Sequence, residues 1–147
     1  MHLAIPGPTS KGPAGKFTGD VYLNTLHAGE EPSRLVSAMV RFTPGARTHW
    51  HSHPLGQTLH CTDGMGLVAT RDGNVILMRP GDTVHTPPGE EHWHGATRDS
   101  LMCHLALVEH DHGQTATWLE PVAEYDFQAA HSRTHPLAPT NNAKETS

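Results

Sequence analysis

Residues 49–60 read HWHSHPLGQTLH and residues 92–94 read HWH. His51 and His53 are two apart, so on an extended strand both imidazoles leave the same face. Gln57 follows across the Pro54–Gly56 turn, where the chain can fold back toward that face. His92 comes after TPPGEE, and His94 lies two further on with the same parity. These five side chains can converge. Three neutral imidazole nitrogens and an amide oxygen suit a divalent transition metal and leave positions open for substrate and water. The spacing admits zinc, nickel, iron or manganese alike, at one ion per chain. The competing account is a set of satisfied core histidines, but imidazoles at this density seldom converge for packing alone. Six of the 14 histidines, His2, His27, His110, His112, His131 and His135, sit near termini or in charged and Gly-rich loops and read as surface residues.

The elements that must position these groups are short. Gly (14) and Pro (12) punctuate the 147 residues too often for long helices, which implies many short strands joined by tight turns. A first strand is predicted over Thr18 to Leu26. In LVSAMVRF, Val36, Ala38, Val40 and Phe42 share one parity, as one face of a strand does. Asp63-Gly64 and Asp72-Gly73 mark hairpin turns of a meander. LMCHLALVE predicts a last long strand with Met102, His104, Ala106 and Val108 on one face. PVAEYDFQAAHS reads as one short helix, with Pro121 in its first turn. The count is nine or ten strands and one helix, an all-β barrel or jelly roll. Residues 1–16 read as a flexible N-terminal arm, 17–118 as the barrel, and 119–147 as the helix and a polar tail.

Bulk properties exclude several classes. A net charge of -5 argues against nucleic acid or an anionic membrane as partner. No apolar run approaches the ~20 residues a membrane span needs. Cys61 and Cys103 are too few for a disulfide framework, so a reduced, cytoplasmic chain is expected. Cys61 shares the inward parity of Gln57 and Leu59 and reads as a small buried residue. His60 has the opposite parity and is expected to face outward.

The spacing is itself recognisable. Gly45, five residues, His51, one, His53, three, Gln57, six, Gly64 is one run; Gly81, five residues, Pro87, one, Gly89, two, His92 is the other. Together they resemble both signature motifs of the cupin superfamily, in the order and separation of a single-cupin protein. The resemblance implies a jelly-roll β-barrel with metal ligands at His51, His53, Gln57 and His92. It also marks a departure, since Gln57 stands where cupins usually carry an acid. A neutral amide leaves the full divalent charge on the ion, which favours Lewis-acid work over oxygen activation. His94 and His104 are the candidate general bases; the alternative is that each merely bonds a ligand or fills the cavity.

Within the cupins, FTG, PGARTHWHSHPLGQTL, PGD, PGEEHWHGA and HLAL are similar to the bacterial manganese-dependent hydroxynitrile lyases, over roughly Phe17 to Trp118. That resemblance implies manganese, reversible cleavage of a cyanohydrin to an aldehyde and HCN, and proton transfer by His94 and His104. It also implies substrate positioning by Thr48 and a small pocket wall at Ala38 and Val40. His49, His85 and Val108 are further candidates for the pocket rim, and they depart from the family's pattern. His49 and His60 are also candidates for a second metal site. The alternatives are a metal-dependent cupin dioxygenase and a non-catalytic cupin that binds a small molecule. A homodimer or homotetramer is expected.

Overall fold

The structure, a computed structural model, describes residues 1–134; the polar tail expected beyond them lies outside the described residues. Thirteen strands and one helix occur among them, numbered here in chain order. One antiparallel sheet runs β1 (Ser10–Lys11), β3 (Val21–Ala28), β4 (Leu35–Phe42), β12 (Met102–Glu109), β7 (Gln57–Gly64) and β10 (Thr83–Thr86). The other runs β13 (Thr117–Trp118), β6 (His51–Ser52), β11 (His92–Ala96), β5 (Arg47–Thr48) and β2 (Phe17–Thr18). On the other edge of β11 it continues into β8 (Gly66–Thr70) and β9 (Val75–Met78). The two sheets curl around a common interior, as an all-β cupin barrel does.

Strand alternation sorts the side chains into two cores. Between the sheets lie Val21, Val40, Phe42, Leu59, Cys61, Val68, Met78, Val84, Met102 and Ala106. The second core lies on the far side of the second sheet. There Trp50, Leu67, Ala69 and Trp93 pack against Val122, Phe127 and Ala130, the last two on α1 (Glu124–Thr134). HWHGA on β11 shows how the period works. His92, His94 and Ala96 point between the sheets, and Trp93 goes to the helix, its ring 5.9 Å from that of Phe127. Both faces of this strand are therefore dry, and all five residues are buried.

Three expectations need correction. The strand predicted over Thr18 to Leu26 is two elements, in different sheets. Gly19 separates them with φ of 78°, and a Cβ there would sit 2.9 Å from that of Ala46. The helix begins at Glu124, not at Pro121, because Arg47 Nη2 binds the Val122 carbonyl and the Glu124 carboxylate at the helix entry. The strand count exceeds the nine or ten predicted, because two-residue strands such as β5 and β6 are too short to show a period. The N-terminal arm contains β1, which pairs Ser10 with Leu23 and Lys11 with Tyr22 at the edge of the first sheet.

Candidate metal centre

His51 and His92 are directly paired between β6 and β11. His53 follows two residues after His51, where the chain leaves β6 for the turn. Gly56 then adopts φ of 79° and lies so close to the Thr86 carbonyl that a Cβ would approach it to 2.8 Å. That turn delivers Gln57 to the start of β7, in the opposite sheet. The centre therefore bridges the two sheets. His51, His53 and His92 are buried and offer ligand atoms within 4.8 Å of one another, so the three can hold a metal ion.

Backbone carbonyls set the tautomers. The Nδ1 atoms of His51, His53 and His92 face the carbonyls of His49 (2.9 Å), Thr115 (2.6 Å) and Glu90 (2.9 Å). A carbonyl only accepts, so each Nδ1 carries the proton and each Nε2 presents a lone pair to the common centre. Burial holds all three imidazoles below the ordinary histidine range, His51 well below it and His92 at about 4. They are neutral at pH 7, as ligands must be.

Two features fit a cation. His53 Nε2 is buried without a hydrogen-bond partner among the described residues. His92 Nε2 faces the Gln57 amide oxygen at 3.1 Å, an arrangement of two lone-pair donors that a shared cation would satisfy. The donor set of three imidazole nitrogens and an amide oxygen suits a divalent transition metal.

Beside this cluster is a second pair. His104 Nε2 and His94 Nδ1 are 3.0 Å apart, and both rings are buried against Phe42. Burial lowers both, His94 well below the usual range and further through its neighbour His104, and His104 to about 4. One nitrogen of the contact donates and the other accepts, which leaves His94 Nε2 and His104 Nδ1 as outer ends with no partner among the described residues. A β-bulge aims His104: in the β7–β12 ladder Cys103 opposes Asp63 but His104 opposes Cys61, so the register shifts by one residue there. Thr48 Oγ1 accepts the backbone N–H of His94 at 3.1 Å and fixes the middle of β11 against β5.

A cavity of about 210 Å³ opens on both groups. One wall is aliphatic, with Leu23, Val36, Ala38, Val40, Ala106 and Val108; the other carries Thr48, His51, His53, Gln57, His94 and His104. Lys16, Phe17, Thr115, Ala116 and Trp118 complete it. This last group had no periodic signal in the sequence, because it comes from an arm, a loop and the two-residue strands β2 and β13; it includes Thr115, whose backbone carbonyl holds His53. Trp118 stacks on His51 with centroids 4.6 Å apart.

Of the predicted pocket residues, Ala38, Val40, Thr48 and Val108 line the cavity, and His49 and His85 do not. His49 is buried, leads into β6 and lends its carbonyl to His51. His85 lies on the outside of the first sheet, Nδ1 3.1 Å from Thr58 Oγ1. His60 also faces outward and contacts Thr83 Oγ1 at 2.8 Å. It points to the outside of the first sheet, whereas His49 is buried in the second, and the group of three or more that could hold a metal among the described residues is His51, His53 and His92. Cys61 is buried, and Cys103, half-buried on the neighbouring strand, is a free thiol as well. Among the described residues no helix is long and apolar enough to cross a membrane.

Comparison with known proteins agrees with this geometry. A family model described as "Cupin domain" matches residues 38–109. An (R)-mandelonitrile lyase of Granulicella tundricola is 44% identical over 120 residues, 82% of this chain and 92% of the relative. A cupin-like protein from Thermotoga maritima superposes with a TM-score of 0.77 at 39% identity, over 82% of this chain and 92% of that one. The DMSP lyase DddQ from Ruegeria pomeroyi, at 22% identity and a TM-score of 0.59 over 74% of this chain and 54% of that one, shares the fold. The chain belongs to the cupins, as a single-domain member whose second sheet brings His51 and His92 together, with His53 two residues beyond.

Proposed function

We propose that this protein is a metal-dependent hydroxynitrile lyase that reversibly cleaves a cyanohydrin to an aldehyde and HCN, with manganese on His51, His53, Gln57 and His92. One observation carries the reading. The paired His94 and His104 open onto the same small cavity as His51, His53 and Gln57, in a chain whose relative is named a mandelonitrile lyase. An ion held by these four side chains supplies positive charge that stabilises an oxyanion or cyanide. The aliphatic wall from Ala38 to Val108 takes the body of the substrate and excludes water. Two side chains then handle the proton. His94 Nε2, left without a partner, accepts it from the cyanohydrin hydroxyl as the C–CN bond breaks and the C=O forms. The Nδ1 proton of His94 is shared with His104 Nε2 across their 3.0 Å contact, which spreads the new charge over two rings. Cyanide takes the proton back and leaves as HCN.

The direct test is benzaldehyde release from mandelonitrile at mildly acidic pH, comparing manganese-loaded with metal-stripped protein. Metal-dependent release that collapses in His51→Ala is the expected result. Release equal to the stripped control would remove this reaction. Substrate-dependent oxygen uptake in its place would move the chain to the dioxygenases.

A further inference from the structure

The cavity differs in charge from the protein around it. The chain carries 15 acidic residues and a net charge of -5, yet among the described residues no carboxylate lines the cavity. Among the described residues the one charged group lining it is Lys16. The backbone holds this lysine at the mouth: its N–H donates to the Pro13 carbonyl at 3.0 Å, and its carbonyl accepts the His49 N–H at 2.8 Å. Nζ lies 5.5 Å from the centre of the Trp118 ring, which stacks on His51, so a single indole separates the ammonium from the imidazole cluster. Lys16 forms no ion pair among the described residues. Gln57, unlike a carboxylate, subtracts nothing from the charge of an ion bound beside it. With a cation on the imidazole cluster, positive charge would stand at both ends of an aliphatic slot that no carboxylate of the described residues lines.

We propose, resting on the lyase reading above, that Lys16 makes this cavity selective for anionic substrates: cyanohydrins and aldehydes whose apolar body ends in a carboxylate. The hydroxyl and nitrile face the imidazole cluster, the body lies along Ala38, Val40 and Ala106, and the carboxylate meets Lys16 at the mouth. An exposed ammonium in water gives a modest preference, about five-fold, that shrinks with added salt.

The test uses the metal-loaded full chain and two readings. Calorimetry compares benzoate with its neutral isostere benzamide, and kinetics compares 4-carboxymandelonitrile with mandelonitrile. In both, the anionic-over-neutral ratio is expected to fall about five-fold in Lys16→Met and to be kept in Lys16→Arg. A binding ratio that is the same in Lys16→Met as in the unaltered chain overturns the proposal, because any remaining preference then belongs to the metal. The two readings fail separately. If neither cyanohydrin is cleaved while the benzoate preference still follows Lys16, the lyase reading falls and the anion selectivity stands. If mandelonitrile is cleaved and the ratios are indifferent to Lys16, the selectivity falls and the lyase reading stands.

Discussion

At the scale of single residues, the chemistry rests on which nitrogen carries a proton. The carbonyls of His49, Thr115 and Glu90 fix three imidazoles with their lone pairs inward, and His53 Nε2 stays unpartnered. Removing that donor by His53→Ala should weaken metal retention at least about ten-fold. Metal content after dialysis, read by elemental mass spectrometry, checks it; undiminished content would exclude His53 as a ligand. His104→Gln should keep the metal and lower kcat for cyanohydrin cleavage by about 10²-fold or more, because an amide cannot take up the proton His94 shares. An unchanged kcat would leave His104 a packing residue. For Gln57→Glu the prediction is electrostatic. An anionic ligand lowers the reduction potential of bound manganese, so voltammetry should show a downward shift, and a potential that does not move would sink the account of the amide.

Turns and strand register do the positioning at the level of elements. Gly56 combines φ of 79° with a close approach to the Thr86 carbonyl, so Gly56→Ala meets both backbone strain and a clash. It should destabilise the chain by more than about 1 kcal/mol in urea unfolding, and it should loosen metal binding, since Gln57 is next in the chain. A variant with full stability and full metal content would show that the turn tolerates a side chain. Arg47 makes a different connection. Its buried guanidinium lies 4.2 Å from the Phe127 ring centre and reaches the Val122 carbonyl, which ties the second sheet to α1. Its Nε, though, has no partner among the described residues. Arg47→Met keeps the packing and drops that orphan donor, so it should be tolerated better than Arg47→Ala.

For the whole molecule, the buried histidines make stability depend on pH. His92 and His104 titrate at about 4 when folded, and burial is the main cause for both. Their ordinary value is 6.5, so between about 4 and 6.5 the unfolded chain binds more protons than the folded one. Stability is therefore complete above 6.5 and declines as pH falls toward 4. Each such histidine is worth roughly 3 kcal/mol at the limit, at about 1.4 kcal/mol per pKa unit. Urea midpoints of metal-stripped protein should be lower near pH 5 than near pH 7. His104→Gln should narrow that difference, and equal midpoints would mean the imidazoles are hydrated in solution.

Much of this centre was legible from one dimension. Strand parity placed His51 with His53 and His92 with His94, turned His60 outward and Cys61 inward, and put His104 on the same face as Ala106 and Val108, because alternation is a local property of extended chain. The paired motifs from Gly45 and Gly81 carried the cupin resemblance. What sequence could not supply was everything that depends on two distant segments meeting. His49 and His85 were expected at the pocket rim by proximity in the chain, but one leads into β6 while its carbonyl holds His51, and the other lies on the outside of the barrel. Gly19 divided a strand that apolar residues alone suggested was continuous. Thr115, Lys16 and Trp118 reach the cavity from a loop, an arm and an edge strand with no periodic signal. The residue types that can bind a metal were thus set by the sequence itself. Tertiary structure alone decided which nitrogens are protonated, what walls the cavity and which charge stands at its mouth, since those follow from carbonyls and side chains brought together across the two sheets.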